Sequence, residues 1–230
     1  MKIQKFVLTA FQQNTRVVFC EKTRHAICID PGSPSTELTR FIRDNVLALH
    51  AVVLTHGHLD HVGGTGAIHE EFPDAEILLH KDDEDLYYAL PQQPLLLGMQ
   101  PEQLKVLGMD FGPPPKITRN LEHGEHLRVG DLTFEIRHCP GHTRGHVILA
   151  ELNERHAIVG DCLFEGSIGR TDLPGGNHEQ LIESITSNIM SLDDETVVHS
   201  GHGRETTVGR ERATNPFLTG AYSIGGGRYV

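Results

Sequence analysis

The chain has 230 residues, 38% of them hydrophobic and 22% charged, which is the balance of a globular protein with enough chain for a full core. Twenty basic against 31 acidic side chains leave a formal charge of −11, which argues against the basic stripe that nucleic acid requires. No run approaches the roughly 20 apolar residues that span a bilayer, so neither a nucleic-acid nor a membrane partner is expected.

The start, Met1-Lys2-Ile3-Gln4-Lys5, opens a short strand-like run and no sustained apolar segment of the signal-peptide kind, so a cytoplasmic protein is expected. Strands are predicted over 6–11, 15–20 and 25–30, the third closed by the turn chemistry of "DPGSPS". The stretch 37–45 has a helical apolar period. A strand over 51–55, a helix over 62–72, a strand over 76–80 and a helix over 81–90 follow. Residues 91–116, with "PQQPLLLGMQP" and "FGPPPK", read as a long ordered loop of the kind that lines a site. Strands resume over 125–129, 132–139, 146–152 and 156–159. An amphipathic helix over 179–192, a strand over 196–199 and a terminal helix over 208–218 complete the chain. Strands followed by helix, strand and loop in each half favour two packed sheets with helices outside. No boundary interrupts the pattern, so 1–230 is expected to be a single domain.

Four cysteines, at 20, 28, 139 and 162, form no C-x-x-C pair and read as free thiols rather than a disulfide framework or a zinc knuckle. Cys162 beside Asp161 is assigned to core packing. The sixteen histidines are the anomaly. "LTHGHLDHVGG" holds His56, His58, Asp60 and His61 at the end of an apolar strand. Alternate residues on the strand end, His56 and His58, point the same way; Asp60 and His61 then enter a helix and face back. "CPGHTRGH" places His142 after a strand, "AIVGD" places Asp161 after another, and "VVHSGHG" places His202 after a third. Each has a glycine beside it, where backbone turns sharply. Five histidines and two carboxylates delivered by four strand ends are the supply for two metal ions sharing a bridge. Imidazole and carboxylate suit zinc and iron, and seven donors for two ions leave positions open for water, the mark of a catalytic site. The remaining histidines are read as structural, with His146 as a supporting residue near the site.

H-x-H-x-D-H, a lone His in "PGHT", an Asp in "GD" and a late "GHG" resemble the metallo-β-lactamase superfamily. Within it, "GDCLFEGSIGRTDLPGG" and "GHGRETTVGRERATNPFL" are similar to the small type II glyoxalases, the hydroxyacylglutathione hydrolases and their relatives. The resemblance covers roughly residues 5–218. It implies a four-layer αββα sandwich with the metals at one edge of the two sheets. Carried over by position, His56, His58 and His142 would hold the first metal, Asp60, His61 and His202 the second, and Asp161 would bridge both. Two divalent ions per chain are expected, zinc first, with iron or manganese as alternatives. Arg144 and Arg204 stand where the family pattern has proline, and the chain runs only to "TGAYSIGGGRYV" after "NPFL", so the glutathione grip of the longer glyoxalases is not expected.

The reaction that these residues and this resemblance imply is hydrolysis of a small-molecule thioester, such as S-D-lactoylglutathione, with Asp60 as the catalytic residue that orients the attacking hydroxide. Arg170, Asn215 and Phe217 are the candidate substrate-binding residues. The alternatives are a mononuclear iron enzyme resembling the persulfide dioxygenases, which share "GRTD", a nuclease or phosphodiesterase, and a metal-binding scaffold without hydrolase activity. The oligomeric state is left open.

Overall fold

The computed structural model describes residues 1–96 and 98–221; position 97 of the expected loop and 222–230 of the expected domain lie outside them. The first sheet has the order β1 (Lys2–Leu8), β2 (Gln13–Phe19), β3 (His25–Ile29), β4 (Ala48–Val53), β5 (Glu76–Leu79) and β6 (Arg119–Asn120). Its first three strands are antiparallel neighbours, and β3 through β6 run parallel. The second sheet has the order β14 (Thr206–Thr207), β13 (Val197–Ser200), β10 (His156–Gly160), β9 (Val147–Glu151), β8 (Leu132–His138) and β7 (His126–Val129). Here β10 and β13 are the parallel pair. A hairpin of β11 (Leu163–Phe164) and β12 (Ser167–Ile168) stands beside it.

Alternation along the strands decides the layers. Successive side chains point to opposite faces, and both faces of the central strands are apolar. Val18, Ile27, Ile29, Val53 and Leu78 share one core with Phe134, Ile136, Leu149 and Ile158, which locks sheet to sheet. The intervening Val17, Cys28, Val52, Ile77 and Leu79 pack with residues of the helices α1 (Thr36–Asp44), α2 (Leu59–Val62) and α3 (Thr65–Glu71). On the far side, Ile148, Ala150, Ala157 and Val159 pack against Leu181 and Ile185 of α7 (His178–Asn188) and Val208 of α8 (Val208–Thr214). Three cores between four layers make an αββα sandwich, as the sequence implied. Side chains of Ser35, Asn177 and Thr207 accept backbone N–H bonds at the starts of α1, α7 and α8, the capping that these residue types provide.

Several boundaries differ from expectation. The predicted helix over 62–72 is two helices, α2 and α3, divided at Gly63-Gly64. The expected helix over 81–90 is a single 3₁₀ turn, Lys81–Asp83, leading into α4 (Glu84–Tyr88). The expected loop 91–116 contains α5 (Gln93–Leu96) and α6 (Pro101–Leu107). Pro94 and Pro101 sit in the first turns of these helices, where a missing N–H costs nothing, while Pro91 and Pro113, Pro114 and Pro115 lie outside them. The strands β6, β11, β12 and β14 are two residues long each, too short for alternation to reveal.

Between the parallel strands β10 and β13, His156 Nδ1 lies 2.9 Å from His199 Nε2. Burial, with Arg16 and His156 adding to it, pushes His199 down from 6.5 to about 3. It therefore stays neutral in the folded chain while the unfolded chain takes up a proton near its ordinary pKa, and stability falls as pH drops from 6.5 toward 3. Replacing His199 with Gln is expected to reduce the stability lost between pH 6.5 and pH 5 by about 1.5 kcal/mol relative to wild type, measured by urea unfolding at both pH values; equal losses would contradict a neutral buried imidazole.

Candidate metal centre

Strands β3 and β4 run parallel, as do β8, β10 and β13, and their C-terminal ends meet at one edge of the sandwich. His56 and His58 follow β4; His58 is the N-cap of α2, which carries Asp60 and His61. His142 lies in the β8–β9 connection, Asp161 directly follows β10, and His202 follows β13. All seven residues expected to hold metal meet here. His56, His58 and His142 each place one donor atom within 4.8 Å of the others, and Asp60, His61 and His202 do the same. Asp161 touches both groups: Oδ1 is 3.4 Å from His61 Nε2, and Oδ2 is 3.8 Å from His142 Nε2 and 3.6 Å from His202 Nε2. The shortest approaches are His58 Nδ1 to His142 Nε2 at 2.9 Å and His202 Nε2 to Asp60 Oδ2 at 3.2 Å.

Hydrogen bonds on the far side of each ring decide which nitrogen faces the centre. His142 Nδ1 donates to the Arg170 carbonyl (2.8 Å), and His202 Nδ1 donates to the Phe11 carbonyl (3.0 Å). His61 Nδ1 donates to Asp30 Oδ2 (2.9 Å). The Thr55 hydroxyl donates to that same Asp30 oxygen (2.6 Å) and so accepts from His56 Nδ1 (3.0 Å). Each bond turns Nε2 toward the centre, the arrangement that fixes metal-ligating imidazoles. These atoms fit a divalent cation. His56 Nε2, His61 Nε2 and Asp161 Oδ1 are buried without a hydrogen-bond partner, a deficit of about 1–3 kcal/mol each that a cation relieves. The triad of Asp30, His56 and His61 is of a different kind, because both Asp30 oxygens already accept bonds, Oδ1 from Thr55 N–H at 2.7 Å and Oδ2 as above.

The electrostatics agree. Burial pushes His56 well below its ordinary range, and burial with His142 brings His58 to about 3, so both are neutral donors. Burial also opposes charge on His61, yet Asp161, Asp60 and Asp30 raise it well above the usual value. Burial opposes ionisation of Asp161 and Asp60 too, but His61 and its neighbours hold both below the carboxylate range. Three carboxylates around one imidazole make a pocket of negative potential that favours positive charge.

Several bracing residues escaped the sequence reading. Asp83, buried, accepts from Gly57 N (2.9 Å), Thr143 Oγ1 (2.7 Å) and Gly145 N (2.6 Å), and so ties the loop of His56 and His58 to that of His142. Gln93, from the stretch expected as loop, accepts from Leu59 N and donates to the Gly57 carbonyl. His146, which the sequence did mark as a supporting residue, accepts through Nε2 from Asp161 N (3.1 Å), and its ring stacks on His56. Cys162 is buried beside it, its thiol pushed well up by that burial. A Cβ on Gly201 would overlap Asp161 Oδ1 and reach 2.7 Å from His61 Cε1, so only glycine lets the backbone pass there. Asp30 had one signal, a carboxylate ending the buried run "ICID"; Asp83, inside "HKDDED", had none.

A cavity of about 580 Å³ opens over the centre, lined by Phe164, Glu165, Ile168, Arg170 and Arg204 together with His142, Asp161 and His202. Of the expected substrate-binding residues, Arg170 lines it but is held in a two-pronged pair with Asp172 (2.8 and 2.7 Å). Asn215 is corrected: it is fully buried, donating to the Ser167 carbonyl and to Glu211, and supports the cavity wall from behind. Phe217 is half-buried and packs against the core that α7 covers. Their motif, "NPFL", is apolar and capping in its chemistry, which is what the fold uses it for.

The fold and this centre define a metal-dependent hydrolase, and the chain belongs to the metallo-β-lactamase superfamily, whose sequence profile matches residues 8–202. The hydroxyacylglutathione hydrolase GloC of Haemophilus influenzae is 38% identical over 218 residues, covering 95% of this chain and 98% of that protein. Among solved structures, the B3 metallo-β-lactamase BLEG-1 superposes with a TM-score of 0.81 at 33% identity, covering 95% of this chain and all of that one. TTHA1623 in a di-iron-bound form superposes equally well, 0.81 at 35% identity, over 94% and 100% of the two chains.

Asp30→Asn keeps an acceptor for Thr55 but removes the charge that orients His61. It is expected to weaken zinc binding by about 10–100-fold with an unchanged circular dichroism spectrum, checked by competition with a chromophoric chelator; wild-type affinity would contradict the orienting role.

Proposed function

We propose that the protein hydrolyses an acyl thioester of the S-D-lactoylglutathione class at a binuclear centre. The observation that carries this reading is the pair of donor groups joined by Asp161: His56, His58 and His142 would hold one divalent ion, Asp60, His61 and His202 the other, with Asp161 shared. Such ions, when bound, supply Lewis acidity and lower the pKa of water to about 7. The likeness to GloC over nearly the whole of both chains supports the thioester, and zinc is the expected metal, with iron or manganese as alternatives.

The chain's own residues do the rest. Asp60 presents Oδ2 to the centre beside His202 and would orient the attacking water toward the carbonyl. Phe164 and Ile168 give the cavity an apolar wall for the acyl and thiol chains. Arg204 lines the same cavity and makes no ion pair among the described residues, which suits a carboxylate-bearing carrier such as glutathione. The leaving thiolate needs little protonation, since free thiols titrate near pH 8.5. A volume of about 580 Å³ falls within the range of small-ligand sites.

The test is turnover of S-D-lactoylglutathione, other acyl thioesters and a β-lactam by one metal-analysed preparation. The thioester is expected to be the preferred substrate, and Asp60→Asn is expected to lower its kcat by about 100-fold or more with the fold intact. Preference for the lactam, or oxygen uptake with glutathione persulfide at one iron per chain, would overturn the reading; near-normal turnover by Asp60→Asn would remove the role given to that carboxylate.

A further inference from the structure

Away from the centre, two histidines read as structural form a cluster with an acidic neighbour. His80 directly follows β5 and is 7% exposed; His138 ends β8. Their rings lie face to face, centroids 4.1 Å apart and 10° from parallel. One donor atom each from His80, Asp82 and His138 lies within 4.8 Å of the others. None of the three belongs to the seven residues of the main centre.

The hydrogen bonds leave a bare donor atom on His138 and a long, replaceable bond on His80. His138 Nε2 lies 2.8 Å from the Arg144 carbonyl; a carbonyl only accepts, so this nitrogen carries the proton and Nδ1 keeps its lone pair. His80 Nδ1 accepts from the Asp82 backbone N–H at 3.3 Å, a long bond that a metal would displace, and is 3.8 Å from Asp82 Oδ2. An imidazole that gives its other N–H to a backbone carbonyl is the pattern of a metal ligand. Tetrahedral bonds of about 2.0–2.2 Å set neighbouring donors roughly 3.3–3.5 Å apart, so Asp82 needs to close by only a few tenths of an ångström. Stacked rings aim their lone pairs side by side, and capture requires one ring to tilt. His138, the less buried, borders an open cleft of about 490 Å³ that also carries Asp82, Asp85 and Arg144, and has the room to do so. Asp85 or water would complete the shell.

We infer that His80, Asp82 and His138 form a further binding site for a divalent transition metal, separate from the hydrolytic centre. Two imidazoles with one carboxylate select zinc, nickel or copper over magnesium and calcium, which take oxygen ligands. The inference does not depend on the substrate or on how many ions the main centre holds.

The experiment is equilibrium dialysis of chelator-stripped full-length protein against zinc, with metal per chain measured for wild type, His138→Gln and Asp82→Asn, and hydrolysis followed on the same samples. Each variant is expected to bind one zinc fewer than wild type at saturation while keeping wild-type turnover. The same zinc content in wild type and both variants would overturn the site. Should His138→Gln lose its circular dichroism spectrum, Asp82→Asn, whose side chain is 45% exposed, decides the matter alone.

Discussion

Crowded like charge is the constraint around which this molecule is built. Asp30, Asp60 and Asp161 converge on His61 inside the protein, and the bare Nε2 atoms of His56 and His61 point at the same space. Burying such groups without compensation costs several kcal/mol. Protein hydrogen bonds cannot compensate from within, because every far-side N–H is already spent on Asp30, Thr55, Arg170 or Phe11. Positive charge at the centre is what reconciles the arrangement, and a divalent pair would supply it.

The sandwich makes that crowding affordable. Three apolar cores fix the two sheets rigidly, and the donors are carried on connections at the C-terminal ends of β4, β8, β10 and β13. These connections are not free. Asp83 fastens two of them together, Gln93 holds a third point, and Asn14 donates to the carbonyls of Ser200 and Gly203 beside His202. Positions set by packed strands and cross-tied loops are precise enough for metal chemistry, where a displacement of an ångström spoils coordination.

Much of this was legible in the sequence because strand ends and donors coincide: a strand, then a His or Asp with a Gly directly beside it, occurs at His56, His142, Asp161 and His202. Two packed sheets with helices outside could be read from the order of strands and helices, and the αββα layering from the family resemblance. What stayed hidden were partners chosen by distance in space. Asp83 sits among four acidic residues, and nothing local distinguishes the one that folds inward. Gln93 lies in a proline-rich stretch in which Pro94 and Pro101 fall in first helical turns. Asn215, a candidate for substrate, is buried behind the cavity wall. His80 and His138 are 58 positions apart, brought together only by the pairing of sheets.

The central claim is that seven side chains enclose two cations around Asp161. Diffraction from zinc-loaded crystals on either side of the zinc absorption edge measures this directly. Two anomalous peaks about 3.5–4 Å apart, with an Asp161 oxygen between them and His56, His58, His142 and Asp60, His61, His202 on opposite sides, are the predicted result. Peaks elsewhere only, or none within bonding reach of these donors, would contradict it.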